Sequence, residues 1–577
     1  MGQALRTRQL MKTQKFGRGD IFAIAPAVMI FVLTVPLLAG LIGVLLPAFG
    51  YFPSLGGDHF TLQYFHDVLH VPGFWHSAKL SLWTGVATTF VSLAIVISFF
   101  ASFWGSRPFQ RIVRFISPLM SVPHAAAAFG LAFLIAPSGW IVRLVSPWAT
   151  GFHHPPDWLI VNDPTGKALL FGLVLKEVPF LFLMGISASS QINVEGRLKV
   201  AMSLGYGRVW AWITSVFPAL YKQIRLPVFA VIAFSSSVVD VALILGPNHP
   251  AMLPVQLLRW MNDPMLEMRF IAAAGAIYQL GITVLALATW WVGELVVCYV
   301  GRRMMISGER HQNDQIFRNA ALIMMGGVVL VSLLGLITLL IWSFAGFWRF
   351  PDVLPTSLST MRWMRVSPDM LWPALNSINI AVVSTGLSIA LSIFCLENEY
   401  RRDLTVTSAA IRILYLPLIV PQIAFLFGLS VLLVRFGLDG SFWPVALTHM
   451  IFVLPYMFLS LSAAFRQFDV RYLKAAASLG ATPNEVLFKV RLPMLLKPVL
   501  FAAALGVAIS IAQYLPTLLV GAGRVPTITT DAIALAAGGD RRLIGIYATV
   551  QTLLSFIGFL AAVLLPKLLF PNKKYFG

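Results

Sequence analysis

Long apolar blocks alternate with short charged stretches along nearly all of this 577-residue chain. Twelve such blocks lie at about 21–46, 78–103, 112–136, 169–190, 224–245, 273–300, 320–343, 374–396, 409–433, 442–464, 498–520 and 545–570. A helix rises about 1.5 Å per residue, so roughly 20 apolar residues cross the hydrocarbon core of a bilayer. The pattern predicts an all-α polytopic membrane protein with about 12 transmembrane helices in contact with lipid. The strands of a membrane barrel would instead alternate over about 10 residues.

Composition agrees: 58% of residues are hydrophobic and 11% charged. The net charge of +19 would suit nucleic acid in a soluble chain, but here loop charge asymmetry accounts for it, and no nucleic-acid partner is expected. Placing the N-terminus inside puts 29 of the 42 Lys and Arg in cytoplasmic segments. These include Arg6, Arg8, Lys12, Lys15 and Arg18 at the start, then Arg107, Arg111 and Arg114, Arg302 and Arg303, and Arg401 and Arg402. Both termini are therefore expected in the cytoplasm. The first apolar block is longer than a signal-peptide core and is read as an uncleaved span. The two cysteines, Cys298 and Cys395, are read as packed thiols.

The blocks repeat. Lys199-Val-Ala-Met-Ser-Leu-Gly205 runs on to Phe217-Pro218, and Lys474-Ala-Ala-Ala-Ser-Leu-Gly480 runs on to Leu492-Pro493, at the same internal spacing. Gly246 and Gly521 follow at the same offset of 275, Pro179-Phe180 pairs with Pro455-Tyr456 at 276, and Val122-Pro123 pairs with Val420-Pro421. The chain thus divides into halves of about 1–305 and 306–577. Each has six spans, and an even number makes the repeats parallel, related by an axis along the membrane normal. The charged stretch 301–319 is the linker between them.

The duplicated loops, about 195–225 and 470–497, lie on the cytoplasmic side. In the second, an alanine-rich helix should end at Gly480 in the left-handed conformation that favours glycine. Thr482-Pro483 should then start a new helix, with threonine as N-cap and proline first, and Pro493 should break it before the next span. A loop duplicated at matching places implies one partner surface used twice.

These loops resemble the EAA loop of binding-protein-dependent ABC importer permeases: E-A-A, a short gap, G, nine residues, then I-x-L-P. Lys474-Ala475-Ala476 and Gly480 match, followed by Val490-Arg491-Leu492-Pro493. In the first copy Lys199-Val200-Ala201 and Gly205 stand in those places, followed by Ser215-Val216-Phe217-Pro218. Both copies carry lysine where the family usually has glutamate. The resemblance implies two permease domains fused in one chain of a bacterial inner membrane, a type similar to thiamine and iron(III) importer permeases. It further implies a periplasmic binding protein delivering a small solute, and a cytoplasmic ATP-binding cassette ATPase, in two copies, docking on Lys199, Ala201, Gly205 and Pro218 and on Lys474, Ala475, Ala476, Gly480, Leu492 and Pro493.

The chain has no G-x-x-x-x-G-K-[ST] phosphate loop, so on this reading ATP hydrolysis belongs to a separate subunit. It shows no catalytic constellation, cofactor motif or metal spacing, and is read as a non-enzyme. His153-His154 is read as a solvated loop. An ion-coupled secondary transporter is the alternative, since it too can have two parallel six-span halves, but it has no need of twin loops.

Charges inside spans are costly and mark bundle interiors or water paths. Lys176 and Glu177 sit mid-span just before Pro179, and Asp240 lies on the fifth span. With Gln513 and Tyr514 in the second half they are the candidates for a translocation path. Glu397, at the cytoplasmic end of the eighth span, is expected to take no part.

Overall fold

The computed structural model of the protein describes residues 21–310, 312–404 and 407–569, the side chains of 567 and 569 excepted. The basic N-terminal residues Arg6 to Arg18 lie outside these. Every named element is helical, with three isolated bridges in loops. Among the described residues ten helices are long and apolar enough to cross a membrane, or up to 12 if each of two bent pairs counts as one span. The all-α polytopic expectation holds.

The breaks refine it. The third block of each half is two helices rather than one: Arg107–Leu119 with His124–Ile135, and Ser408–Ile419 with Gln422–Arg435. The second pair bends by 83°. Each break falls at the repeated Val-Pro. Proline has no N–H to give the preceding turn, and it drives the residue before it toward extended geometry. The fifth blocks also break, into Phe217–Ser237 with Asp240–Leu245 and Leu496–Ala512 with Leu515–Gly521. Val238-Val239 and Gln513-Tyr514 occupy these gaps, again 275 apart.

The sequence halves interlock. The first span, Ile21–Ala48, packs on Gln422–Arg435 and Met361–Arg402 of the other half, while Gln315–Phe344 packs on His124–Ile135 and Phe74–Phe103 of the first. Glycines permit both crossings. A Cβ on Gly130 would lie 2.7 Å from the Gly335 carbonyl oxygen, and one on Gly428 would strike the backbone of Gly40 and Gly43. In lipid there is little hydrophobic force between helices, so close backbone approach carries the association.

A further repeat shows in the interior. Ser77, Thr84, Thr88 and Ser92 are buried on one face of the second span, and Ser377, Ser384, Ser388 and Ser392 on the eighth, 300 residues on. Several satisfy themselves on their own helix, as Thr84 does on the Leu80 carbonyl at 2.7 Å and Ser388 on that of Ser384 at 2.7 Å. Small hydroxyls of this kind allow close helix packing, although Thr88, Ser92 and Ser392 have no hydrogen-bond partner among the described residues.

Candidate functional site

The broken spans enclose a cavity of about 200 Å³. Its wall is built from repeat mates: Val122 and Val420, His124 and Gln422, Lys176 and Phe452, Val239 and Tyr514, Asp240 and Leu515. Phe180 and Tyr456, also repeat mates, meet edge to face with ring centroids 6.4 Å apart. A residue can face its own repeat mate only near the axis relating the two halves, so the cavity sits on that axis.

All five path candidates, Lys176, Glu177, Asp240, Gln513 and Tyr514, border this cavity. The charged members all come from the first half. The polar groups of the second are neutral: Gln422, Tyr456, Gln513 and Tyr514. His124, Gln422 and Tyr456 were missed in the sequence, although each directly follows a proline of the repeated punctuation.

Lys176 and Glu177 point to different partners, as adjacent helix positions must. The Lys176 ammonium donates to the carbonyls of Val122 at 2.5 Å and Leu119 at 3.2 Å, where the third span breaks. Its charge is thereby held against backbone dipoles. Glu177 is buried and its nearest basic atom is the His124 Nε2, at 3.9 Å. The His124 ring lies against Phe234, centroids 5.0 Å apart. Asp240 opens the short helix after the fifth-span break and has no side-chain ion pair among the described residues. Gln513 donates to the His449 carbonyl at 3.3 Å, and its Oε1 has no hydrogen-bond partner among the described residues. His449 itself is packed away, bonded to Ser510 at 2.9 Å and Thr517 at 2.8 Å.

Each fifth span starts from one of the duplicated loops. In the first loop, Val194–Ser203 ends at Gly205, with φ +89°, and Arg208–Ser215 follows. In the second, Val470–Ser478 ends at Gly480, with φ +87°. Thr482 then caps the next helix as expected, in a reciprocal box with Glu485. Lys489 and Thr482 hold the Glu485 carboxyl down at about 2. That helix passes through a π turn, Val486–Arg491, and carries on past Pro493. The chain bends only at Leu495, turning 75° into the span. Pro493 stands in the first turn of Leu492–Met494, the α segment that follows the π turn, where proline is tolerated, so it does not itself make the break.

On the loop surfaces Lys199, Lys474 and Ala475 are exposed, Ala476 and Pro493 half-buried, and Ala201 buried. Immediately before each glycine stands an exposed leucine, Leu204 at 58% and Leu479 at 87%. Large apolar side chains so exposed on a face that hydropathy assigns to water mark an interaction surface.

The loops are anchored differently. Trp212 of the first is fully buried, its ring 6.2 Å from that of Phe100. Arg491 of the second is buried in an ion pair with Glu397 at 2.9 Å, and stacks on Tyr400 and Phe465 at 4.6 and 4.7 Å. Arg401 shares Glu397 at 2.8 Å. Glu397 is therefore no bystander: the loop folds back over the end of the eighth span and encloses it.

Comparison with known proteins gives these loops and spans their setting. Residues 386–573 match the family of binding-protein-dependent transport system inner membrane components. The chain is 29% identical over 497 residues to the inner membrane ABC transporter permease protein YnjC of Escherichia coli K12, covering 84% of this chain and 87% of that one. It is 26% identical over 200 residues to the spermidine/putrescine transport system permease protein PotC of Haemophilus influenzae, covering 35% of this chain and 76% of that one. The match to PotC of E. coli K12 is 23% over 211 residues, 36% of this chain and 80% of that one. The chain is thus a multi-pass inner-membrane protein, similar over most of its length to an ABC transporter permease and matching the binding-protein-dependent permease family over residues 386–573.

Proposed function

We propose that the protein is the complete membrane path of an ABC importer, two permease domains of about 1–305 and 306–577 in one chain with both termini in the cytoplasm. Two copies of a separate ATPase dock on it, one at Lys199, Ala201, Gly205 and Pro218 and the other at Lys474, Ala475, Ala476, Gly480, Leu492 and Pro493. A periplasmic binding protein supplies the cargo. The observation that carries this reading is the pair of matched loops. Each presents an exposed leucine before a left-handed glycine, and each leads into a span that borders the axial cavity. An ATPase dimer has two-fold symmetry and needs two equivalent contacts. Its closure would move both loops, and so both cavity walls, together.

Lys176, Glu177, Asp240, Gln513 and Tyr514 form the path. One ammonium, Lys176, is turned to backbone carbonyls, and two carboxylates, Glu177 and Asp240, leave the cavity wall net acidic, beside the rings of Tyr456, Tyr514 and Phe234. That combination suits a small organic cation, held by carboxylates and by ring faces. The fused architecture hints at thiamine or iron(III), but none of the relatives named above is described by either. Two are spermidine/putrescine permeases, and thiamine is an organic cation whereas iron(III) is a metal ion with no organic part for ring faces to hold.

The test is capture. With single cysteines at Leu204 and Leu479, an ATP-binding cassette ATPase copurifying with the chain should cross-link at both positions. Absence of any ATPase from the purified chain, or cross-linking at neither position, would overturn the docking reading.

A further inference from the structure

The two loops differ in how the helix after the glycine is started. The second caps itself through Thr482 and Glu485. The first has Gly207 at the N-cap, which offers no side chain. Its exposed donors are met instead by the segment joining the two halves. The Gly207 N–H donates to the Arg310 carbonyl at 3.0 Å, and the Val209 N–H to the Asp314 carboxylate at 3.0 Å. The Gln312 side chain donates to the Gly205 carbonyl at 3.1 Å. Asp314 stands at the N-cap of Gln315–Phe344, yet its side chain does not cap that helix. Gly480, by contrast, has nothing within 4 Å of where a Cβ would lie, so the second loop turns without a strap.

We propose that the inter-half residues Arg310, Gln312 and Asp314 are a working part of the first ATPase-docking platform, with Asp314 supplying in trans the N-cap that the loop lacks. Asp314 is a positioning residue: it fixes the helix Arg208–Ser215 relative to Gly205, and it ties that helix to the start of the seventh span. The fusion of the halves therefore does more than tether them. The first loop is tied to the second half as well as to its own, through Asp314 and through Arg208 to the Ser102 and Trp104 carbonyls, while the second loop is held within its own half. This rests on the docking reading, but its structural part can be measured without the ATPase.

The full-length chain in nanodiscs would be compared by hydrogen exchange and by cross-linking to its copurified ATPase. In Asp314→Ala the amides at the start of Arg208–Ser215 should exchange roughly fivefold faster, the loss of one N-cap. Cross-linking through Leu204→Cys should fall several-fold, and that through Leu479→Cys should stay unchanged. Gly207→Asp in the same background should restore both, because φ −60° and ψ 154° at position 207 are the extended geometry of an N-cap and put no backbone strain on a side chain. Unchanged exchange in Asp314→Ala would overturn the trans cap. Faster exchange with undiminished Leu204 cross-linking, or no rescue by Gly207→Asp, would overturn its positioning role. If neither cysteine cross-links in the otherwise unaltered chain, the docking reading falls, and the exchange result still decides the cap.

Discussion

Lys176 reaches the carbonyls of Leu119 and Val122 at the break in the third span, so its ammonium stabilises a backbone discontinuity that lipid alone would penalise. We expect Lys176→Met to lower stability by ~1–3 kcal/mol, the cost of leaving the Val122 carbonyl unpaired, read as an earlier thermal unfolding transition in detergent. Glu177 has no such structural duty, with His124 at 3.9 Å as its nearest basic group. Glu177→Gln should keep the shape, lower cargo uptake by about tenfold if the lost charge is worth ~1.4 kcal/mol, and leave the membrane level unchanged. Exposed Asp58, in the loop after the first span, is the matched control. Normal uptake in Glu177→Gln would remove that carboxylate from the path. Glu397 cannot serve as a control. Leaving Arg491 buried without it should cost ~3–5 kcal/mol and loosen the second loop. The chain shows which charges lie in apolar blocks. It does not show that Glu397, at the end of such a block, is covered by Arg491 from 94 positions further on.

The loops were the most legible elements. A glycine after an alanine-rich helix and a Thr-Pro start are local signals, and the left-handed turn at Gly480 and the cap at Thr482 follow from them. The breaks in the third and fifth spans were half legible. The Val-Pro pairs were visible as repeats, but hydropathy windows run straight across them, because both sides of each break are apolar. Packing between halves was not legible, since nothing local says that Gly428 meets Gly40 and Gly43. Two predictions belong at this scale. Gly205→Val should weaken ATPase capture more than Gly480→Val. Both put a β-branched residue at positive φ, at ~1–3 kcal/mol, but a side chain at Gly205 would also displace the Arg310 guanidinium beside it and disturb the strap that Gln312 makes to the Gly205 carbonyl. Pull-down of the ATPase with each variant gives the ranking, and the reverse order would contradict it. Gly428→Val should force the first span off its partner and abolish a folded monodisperse peak in size-exclusion chromatography, while Gly326→Val, which meets nothing, should not.

Across the whole molecule, the architecture is symmetric at the proposed docking loops and asymmetric at the proposed cargo path. The spans, the glycine crossings, the hydroxyl stripes and the loops recur between halves. The charges of the axial cavity do not, because Lys176 and Asp240 face Phe452 and Leu515 in the repeat. Internal repetition made the twelve-span plan readable, and the axis followed once Phe180 and Tyr456 were found in contact. The interlocking of first spans makes the two halves one mechanical body, so loop movement on either side reaches both cavity walls. The central claim is that this body is driven by ATP hydrolysis on a separate subunit. The most direct measurement is uptake into liposomes holding the purified chain, with and without its ATPase and binding protein, under imposed proton and sodium gradients. The account predicts no concentrative uptake by the chain alone under either gradient, and ATP-dependent uptake by the complete assembly. Gradient-driven accumulation by the chain alone would contradict it and make the protein an ion-coupled transporter.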